Sequence, residues 1–435
     1  MSASLLLRAL FTSAALLSSR TVLIGEEPPA YQTTVSLPRS GEARLTLSAK
    51  APGCDWGKAG AESAVVTVAV DSKHNQEIVL FGGEKTQNYT VSLGALDTGK
   101  HTVSVTFRPD LSPKGAKGVK VEKLTVDTPS DGNSPDALAV KHAPMLYGRD
   151  DNAASDVPLL LYYVVTEEGD KWHIVYSLIW SNEDGGTGND LGSLVARWGR
   201  STDIEWVYDV LVSKATGQVE QGVIQAAGHQ TRPFAGSFQG THPLLRTSTT
   251  NNMVADTGTA ALLFAPFPVN TSRRSNGTRE AMMDAYPWCH AVAAKEMQRE
   301  GKWETPGDPA TIAASDIRNY LHVDYEAHCT DGALLAVRVK LKDGKTYFSD
   351  HERKSDAVGR SGWVRTTVEL PPGTKAEAIT EVAFVRRDTV PSGTARIQNV
   401  SAFLLKDDYQ PGNPFLKGAS RQEVTLETPA ILFGP

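Results

Sequence analysis

Cysteine is scarce: three residues, Cys54, Cys289 and Cys329, stand in a chain of 435. Their spacing fits no zinc knuckle and no CxxC pair, and an odd count cannot complete a disulfide framework. Stability must therefore come from apolar burial, for which a chain of this length has ample material. One bridge, Cys289 to Cys329, stays open in an oxidising compartment. Positive charge is also in deficit. Lys and Arg number 44 against 50 Asp and Glu, a net charge of −6. This excludes the basic surface needed to displace counterions from phosphate, so no nucleic acid is expected as a partner. Long apolar runs are missing as well; none approaches the ~18 residues of a membrane-crossing helix, and no transmembrane segment is expected. Finally, the chain has no G-x-S-x-G elbow, Walker loop, HExxH pair or EF-hand loop, which removes the familiar enzyme signatures.

What is present is alternation. From Tyr31 to about Val126, ARLTLSA, SAVVTVAVD, EIVLFGG, YTVSLG, HTVSVTF and VKVEKLTV place apolar residues at every second position between Gly, Pro, Asp and Lys clusters. That period predicts an antiparallel β-sandwich over residues 31–127. TPSDGNSPD reads as a linker near Thr128 to Asp136. A central β-rich unit follows over 137–305, with one helical region after Pro287 whose Cys289, Val292, Ala293 and Met297 share a face. NYLHVDYEAH, ALLAVRVKL, WVRTTVELP and ARIQNVSAFLL predict a second sandwich over 309–410, leaving 411–435 as a tail. The fold class is mainly β, multidomain. Residues 1–30 contain Arg8 and then an apolar run from Ala9 to Leu17. They read as a secretory leader, so the expected location is secreted or extracytoplasmic. Sequons at Asn88, Asn270, Asn276 and Asn399 fit that expectation.

Polar density peaks between Tyr147 and Asn252. There APMLYGRDDNAASDVPLLLYY, DIEWVYDVLVSKATGQVEQGVIQAAGHQ and GTHPLLRTSTTNN resemble a fungal and plant family named after vacuolar protein sorting. The likeness spans about a quarter of the chain and implies architecture more than a reaction. LGALDTGKHTVSVTF, in the first sandwich, looks like galactose-binding-like and immunoglobulin-like accessory modules.

Candidate site residues fall in the same central stretch. Asp203 and Glu205 are two apart on an expected strand, so both carboxylates leave one face. Such a pair can bind a hard cation, work as acid and base, or form ion pairs with Arg197 and Arg200 upstream. His229 and His242 would add imidazoles if the fold brings them near. Glu183, Asp184 and Asp190 sit in the Gly-rich, oxygen-rich SNEDGGTGNDLG, so a tentative metal set is Glu183, Asp184, Asp190, Asp203 and Glu205, with calcium or zinc as the candidate ion. His322, Asp324, Glu326 and His328 alternate along a third-region strand and read as a solvated face. Trp56, Trp172, Trp180, Trp198, Trp206 and Trp363 are candidate sugar-stacking rings, although tryptophans of β-sandwiches are usually core. Together these features predict an exported protein that binds a glycan or other surface polymer. A secreted hydrolase with a central carboxylate and histidine site, and a structural envelope component, are the alternatives.

Overall fold

The computed structural model describes residues 31–129, 132–151, 154–184, 190–271, 277–308, 310–418 and 420–432. The leader call on residues 1–30 lies outside them. Strands hold 46% of the chain and helices 11%, so the molecule is mainly β.

The first sandwich packs a four-stranded sheet, in the order 31–37, 99–107, 65–70, 73–79, on a three-stranded sheet with Gly41–Lys50 at its centre. Along Gly41–Lys50 the residues Ala43, Leu45, Leu47 and Ala49 are buried while Arg44, Thr46 and Ser48 stay half-exposed, as the period of two requires. The central unit is built on four long antiparallel strands, Pro158–Glu168, Lys171–Trp180, Ile204–Ser213 and Val219–Ala226. Short strands flank them, Gln230–Pro233 on one edge and Val269–Asn270, parallel to Pro158–Glu168, on the other. A second, smaller sheet contains Met145–Tyr147 and His242–Thr247. The aromatic series Tyr163, Tyr176, Tyr208 and Phe234 fills the space between them, with neighbouring ring centroids 5.6–6.3 Å apart.

The last sandwich pairs Tyr320–Cys329 with Gly362–Glu369 and Ala395–Leu404 in one sheet, and Leu335–Leu341 with Ile379–Arg386 in the other. The segment read as a tail supplies strands to both sheets: Leu416–Lys417 and Gln422–Glu423 extend the first, and Ala430–Leu432 the second. Two- and three-residue strands are too short to show alternation, which is why the sequence reads as irregular there.

Helix Trp288–Arg299 follows Pro287, and Cys289, Val292, Ala293 and Met297 are buried on it as expected. Three further helices are present among the described residues. Pro135–Lys141 begins inside the stretch read as a linker, capped by Ser134. Leu191–Trp198 is capped by Asp190 and closed by Gly199 at φ 63°, and Ala281–Ala285 precedes the long helix. All three are short, so their periodicity is hidden among polar text.

The units are not beads on a string. One apolar core runs from Leu45, Trp56 and Val66 in the first sandwich to Leu160, Ile179, Met283 and Cys289 in the central unit. A second joins Leu194 and Met297 to Tyr320 and Phe403 of the last sandwich. All three cysteines are free, so the Cys289–Cys329 bridge is not formed. Cys289 lies in the first of these cores and Cys329 borders the core of the last sandwich.

Candidate functional site

Asp203 immediately precedes strand Ile204–Ser213, and Glu205 is the strand's second residue. Asp203 is 2% exposed, yet it sits among charges. The Arg200 guanidinium stands 3.6 Å from it and 2.7 Å from Glu280, while Arg279 lies 4.0 Å from Glu205. Burial, with Glu183 and Glu205 close by, pushes the Asp203 carboxyl well above the usual carboxylate range, against the pull of Arg200. Asn252 donates to Asp203 at 3.2 Å from a backbone with φ 59°. Glu183, Asp203, Glu205 and Glu280 thus gather around Arg200 and Arg279, with the Arg365 guanidinium also acting on Glu280. Burial within this cluster favours the protonated form of Asp203.

The expected histidines do not join this group. His229 lies on the turn after Val219–Ala226, exposed, with Gln225 2.9 Å from its Nδ1. His242 is buried in the smaller sheet, its Nδ1 on the Ala143 carbonyl and its Nε2 3.0 Å from Glu42 of the first sandwich. Arg197 gives its carbonyl to Arg360 at 2.6 Å, and Asp190 caps helix Leu191–Trp198 and faces Arg353. Asp184 pairs with Arg149 at 2.8 Å. Residues 185–189 of the acidic loop lie outside the described residues. Among the described residues no group of three or more His, Cys, Asp or Glu is placed to hold a metal ion. The geometry therefore builds a buried ion network at the start of a central strand, and the four-residue hydrolytic constellation is not assembled.

The strand face read as solvated is half covered. His322 is wholly buried and stacks on Phe403, with centroids 5.4 Å apart. Asp324 and Asp284 grip Arg365, a fully buried guanidinium, at 2.6 Å each. Burial, with Arg365 and His290 adding to it, pushes His322 down to about 3, so this imidazole is neutral. Only the His328 end remains exposed. Sequence spacing showed the four side chains sharing a face, but not that the central unit packs on one end of it.

Sequence reasoning also missed a cleft of about 510 Å³ between the first sandwich and the central sheet. Its walls include Tyr286, Trp288 and Phe267, with Arg44, Asn88 and Asn270 beside them. Trp288 stacks on Phe81 at 5.5 Å with planes 9° apart, which fixes its ring. Arg44 lies 5.4 Å above the Phe267 ring and is held by two hydrogen bonds to Asp127, at 2.9 and 2.6 Å. Trp56 and Trp180, named as stacking candidates, are instead core residues at 0% and 1% exposure. The available signal was the run AYPW, whose rings precede and open a helix rather than lie on a strand.

No family model matches the chain, and no curated protein is similar to it at significance. Among solved structures, one similar to it is NLPPya in complex with mannosamine, at 13% identity and TM-score 0.24, covering 32% of this chain and 73% of that one. Another is Necrosis and Ethylene inducing Protein 2 from the causal agent of cocoa's Witches Broom disease, at 17% identity and TM-score 0.22, covering 39% and 81%. A ruminal GH26 endo-β-1,4-mannanase is similar at 12% identity and TM-score 0.18, covering 26% and 20%. Likeness this low transfers no function, and the chain's own geometry must supply it.

Proposed function

We propose that this chain is an exported glycan-binding protein and that its ligand lies in the cleft between the first sandwich and the central sheet. The observation that carries this reading is the cleft's wall: aromatic rings at Tyr286, Trp288 and Phe267, the Trp288 ring stacked on Phe81, next to Arg44, Asn88 and Asn270. A sugar ring has apolar C–H faces that pack on aromatic rings and equatorial hydroxyls that need directed donors and acceptors. The Trp288 ring and the Arg44 guanidinium, already held by Phe81 and Asp127, cost little ordering on binding. A bacterially expressed chain, which carries no sugar at Asn88 or Asn270, is the material for the test. On a glycan array it should bind a restricted set of glycans, and Trp288→Ala and Asn88→Ala should each lose that set while keeping the wild-type circular dichroism. No bound glycan, or an unchanged set in both variants, would refute the reading.

A second reading has one observation behind it. The Asn252 Oδ1 beside Asp203 is buried and accepts no hydrogen bond. A buried, unpartnered amide oxygen beside the Asp203 carboxyl is the ligand chemistry a hard cation such as calcium uses, with water completing the set. Chelator-treated protein titrated with calcium, and separately with zinc, should then gain thermal stability, and the double variant Asp203→Asn, Glu205→Gln should not. An unchanged melting temperature with both ions would end it.

A further inference from the structure

A separate open cavity of about 620 Å³ lies between the last sandwich and the Thr305–Gly307 segment, and it shares no wall residue with the cleft. Its apolar surface comes from Tyr347, Phe348, Pro306 and Pro371. The charged residues of its wall are two carboxylates, Glu352 and Glu369, and no Lys or Arg is among its lining residues. Glu369 is half-buried and accepts the Gly307 N–H at 2.8 Å, so its position is tied to a second segment that lines the cavity. Gly307 packs closely on it as well: a Cβ there would fall 2.7 Å from the Glu369 Oε2, so a side chain would displace that carboxylate. Burial pushes the Glu369 carboxyl above its ordinary value, and Glu304 adds to the push. The Arg387 guanidinium lies over Phe348 at 5.2 Å, and Asp350 at 2.6 Å neutralises it.

The turn that carries the rim is held in a strained shape. His351 and Glu352, neither a glycine, have φ values of 46° and 60°. Two consecutive residues in the left-handed region cost energy, and a surrounding structure must over-determine them. Here buried Asp350 does so. Its carboxylate accepts the Glu352 N–H at 3.1 Å, and its carbonyl accepts the Arg353 N–H at 2.6 Å. The strained turn places Glu352 among the residues that line the cavity.

Aromatic and proline walls with anionic groups and no lining cation make a site for a positive charge carried on apolar carbon. The carboxylates attract the charge, and the ring faces and methylene surfaces accept the alkyl groups around it. A metal ion is a poor fit, because it needs several oxygens around one point and the wall is mostly carbon. We infer that this cavity binds an organic ammonium ion, a substituted amine with apolar substituents, independently of the cleft.

Ligand-observed NMR on the full chain tests this with two probes of one shape. Choline carries the charge, and 3,3-dimethylbutan-1-ol is its neutral counterpart. Choline should bind saturably in the millimolar range, about tenfold more tightly than the alcohol, and less tightly as salt is raised. Glu352→Gln, an exposed change that leaves the fold intact, should weaken choline several-fold without affecting the alcohol. Glu369→Gln and Tyr347→Ala should each weaken choline further. Equal binding of the two probes would reduce the cavity to an apolar hole and overturn the inference. So would absence of choline saturation, or choline binding unchanged in both Glu352→Gln and Glu369→Gln.

Discussion

Arg365 shows how a single side chain can tie two units together. Its guanidinium is fully buried and bridges Asp284 of the central unit and Asp324 of the last sandwich. Burial pushes the Asp284 carboxyl up, but Arg365, helped by His290, holds it far below the usual range. Removing one partner of such a set leaves uncompensated buried charge, so Arg365→Leu should destabilise the chain by about 3–5 kcal/mol in urea unfolding. A loss under about 1 kcal/mol would mean that the two carboxylates find water or protons cheaply. The cysteines give a second residue-scale test. All three are free, so denatured protein that has met no reductant should titrate three thiols per chain. A single reactive thiol would show a bridge that the geometry does not contain.

Strand Tyr320–Cys329 carries the clearest pH dependence. Its His322 is neutral when folded, with a value near 3, whereas in the unfolded chain it titrates near 6.5. Between those values the unfolded state binds the extra proton, so stability falls as pH drops from about 6.5 towards 3. The limiting slope from this one group is about 1.4 kcal/mol per pH unit. His322→Gln retains a donor for the Ile317 carbonyl, which accepts from Nε2 at 3.1 Å, and should flatten that part of the stability profile. An unchanged slope in the variant would assign it to other groups. The same strand shows what the sequence could and could not reveal. Leu321, Val323, Tyr325 and Ala327 announce the sandwich core through their period of two, and all four are buried in it. The opposite face, His322, Asp324, Glu326 and His328, reads as solvated because period tells which residues share a face, not what covers that face. Short helices such as Leu191–Trp198 are hidden for a related reason: two turns give too few repeats of 3.6 to stand out. At the site, Asp203, Glu205 and Arg200 were legible from their spacing. Glu280, Arg279 and Asn252 were not, since loops 49 to 80 residues away bring them in.

Across the whole molecule, the units are sequence-separable but share cores. The first sandwich and the central unit bury Leu45, Trp56, Ile179 and Met283 in one cluster. A chain lacking residues 31–127 would expose that surface, at about 25 cal/mol per Å² of apolar area, and should be insoluble or unfold without cooperativity. Its recovery as a soluble, cooperatively folding protein would contradict the shared core. For the same reason the cleft cannot be tested by deletion, and point variants must carry the test. The most direct is a titration of the full, unglycosylated chain with its best array glycan, wild type against Trp288→Ala and Asp203→Asn. Losing one stacking ring should raise Kd by about tenfold or more, an effect of ~1.5 kcal/mol, while Asp203→Asn leaves it within about twofold. Equal Kd values for wild type and Trp288→Ala, or a loss confined to Asp203→Asn, would contradict the cleft as the glycan site.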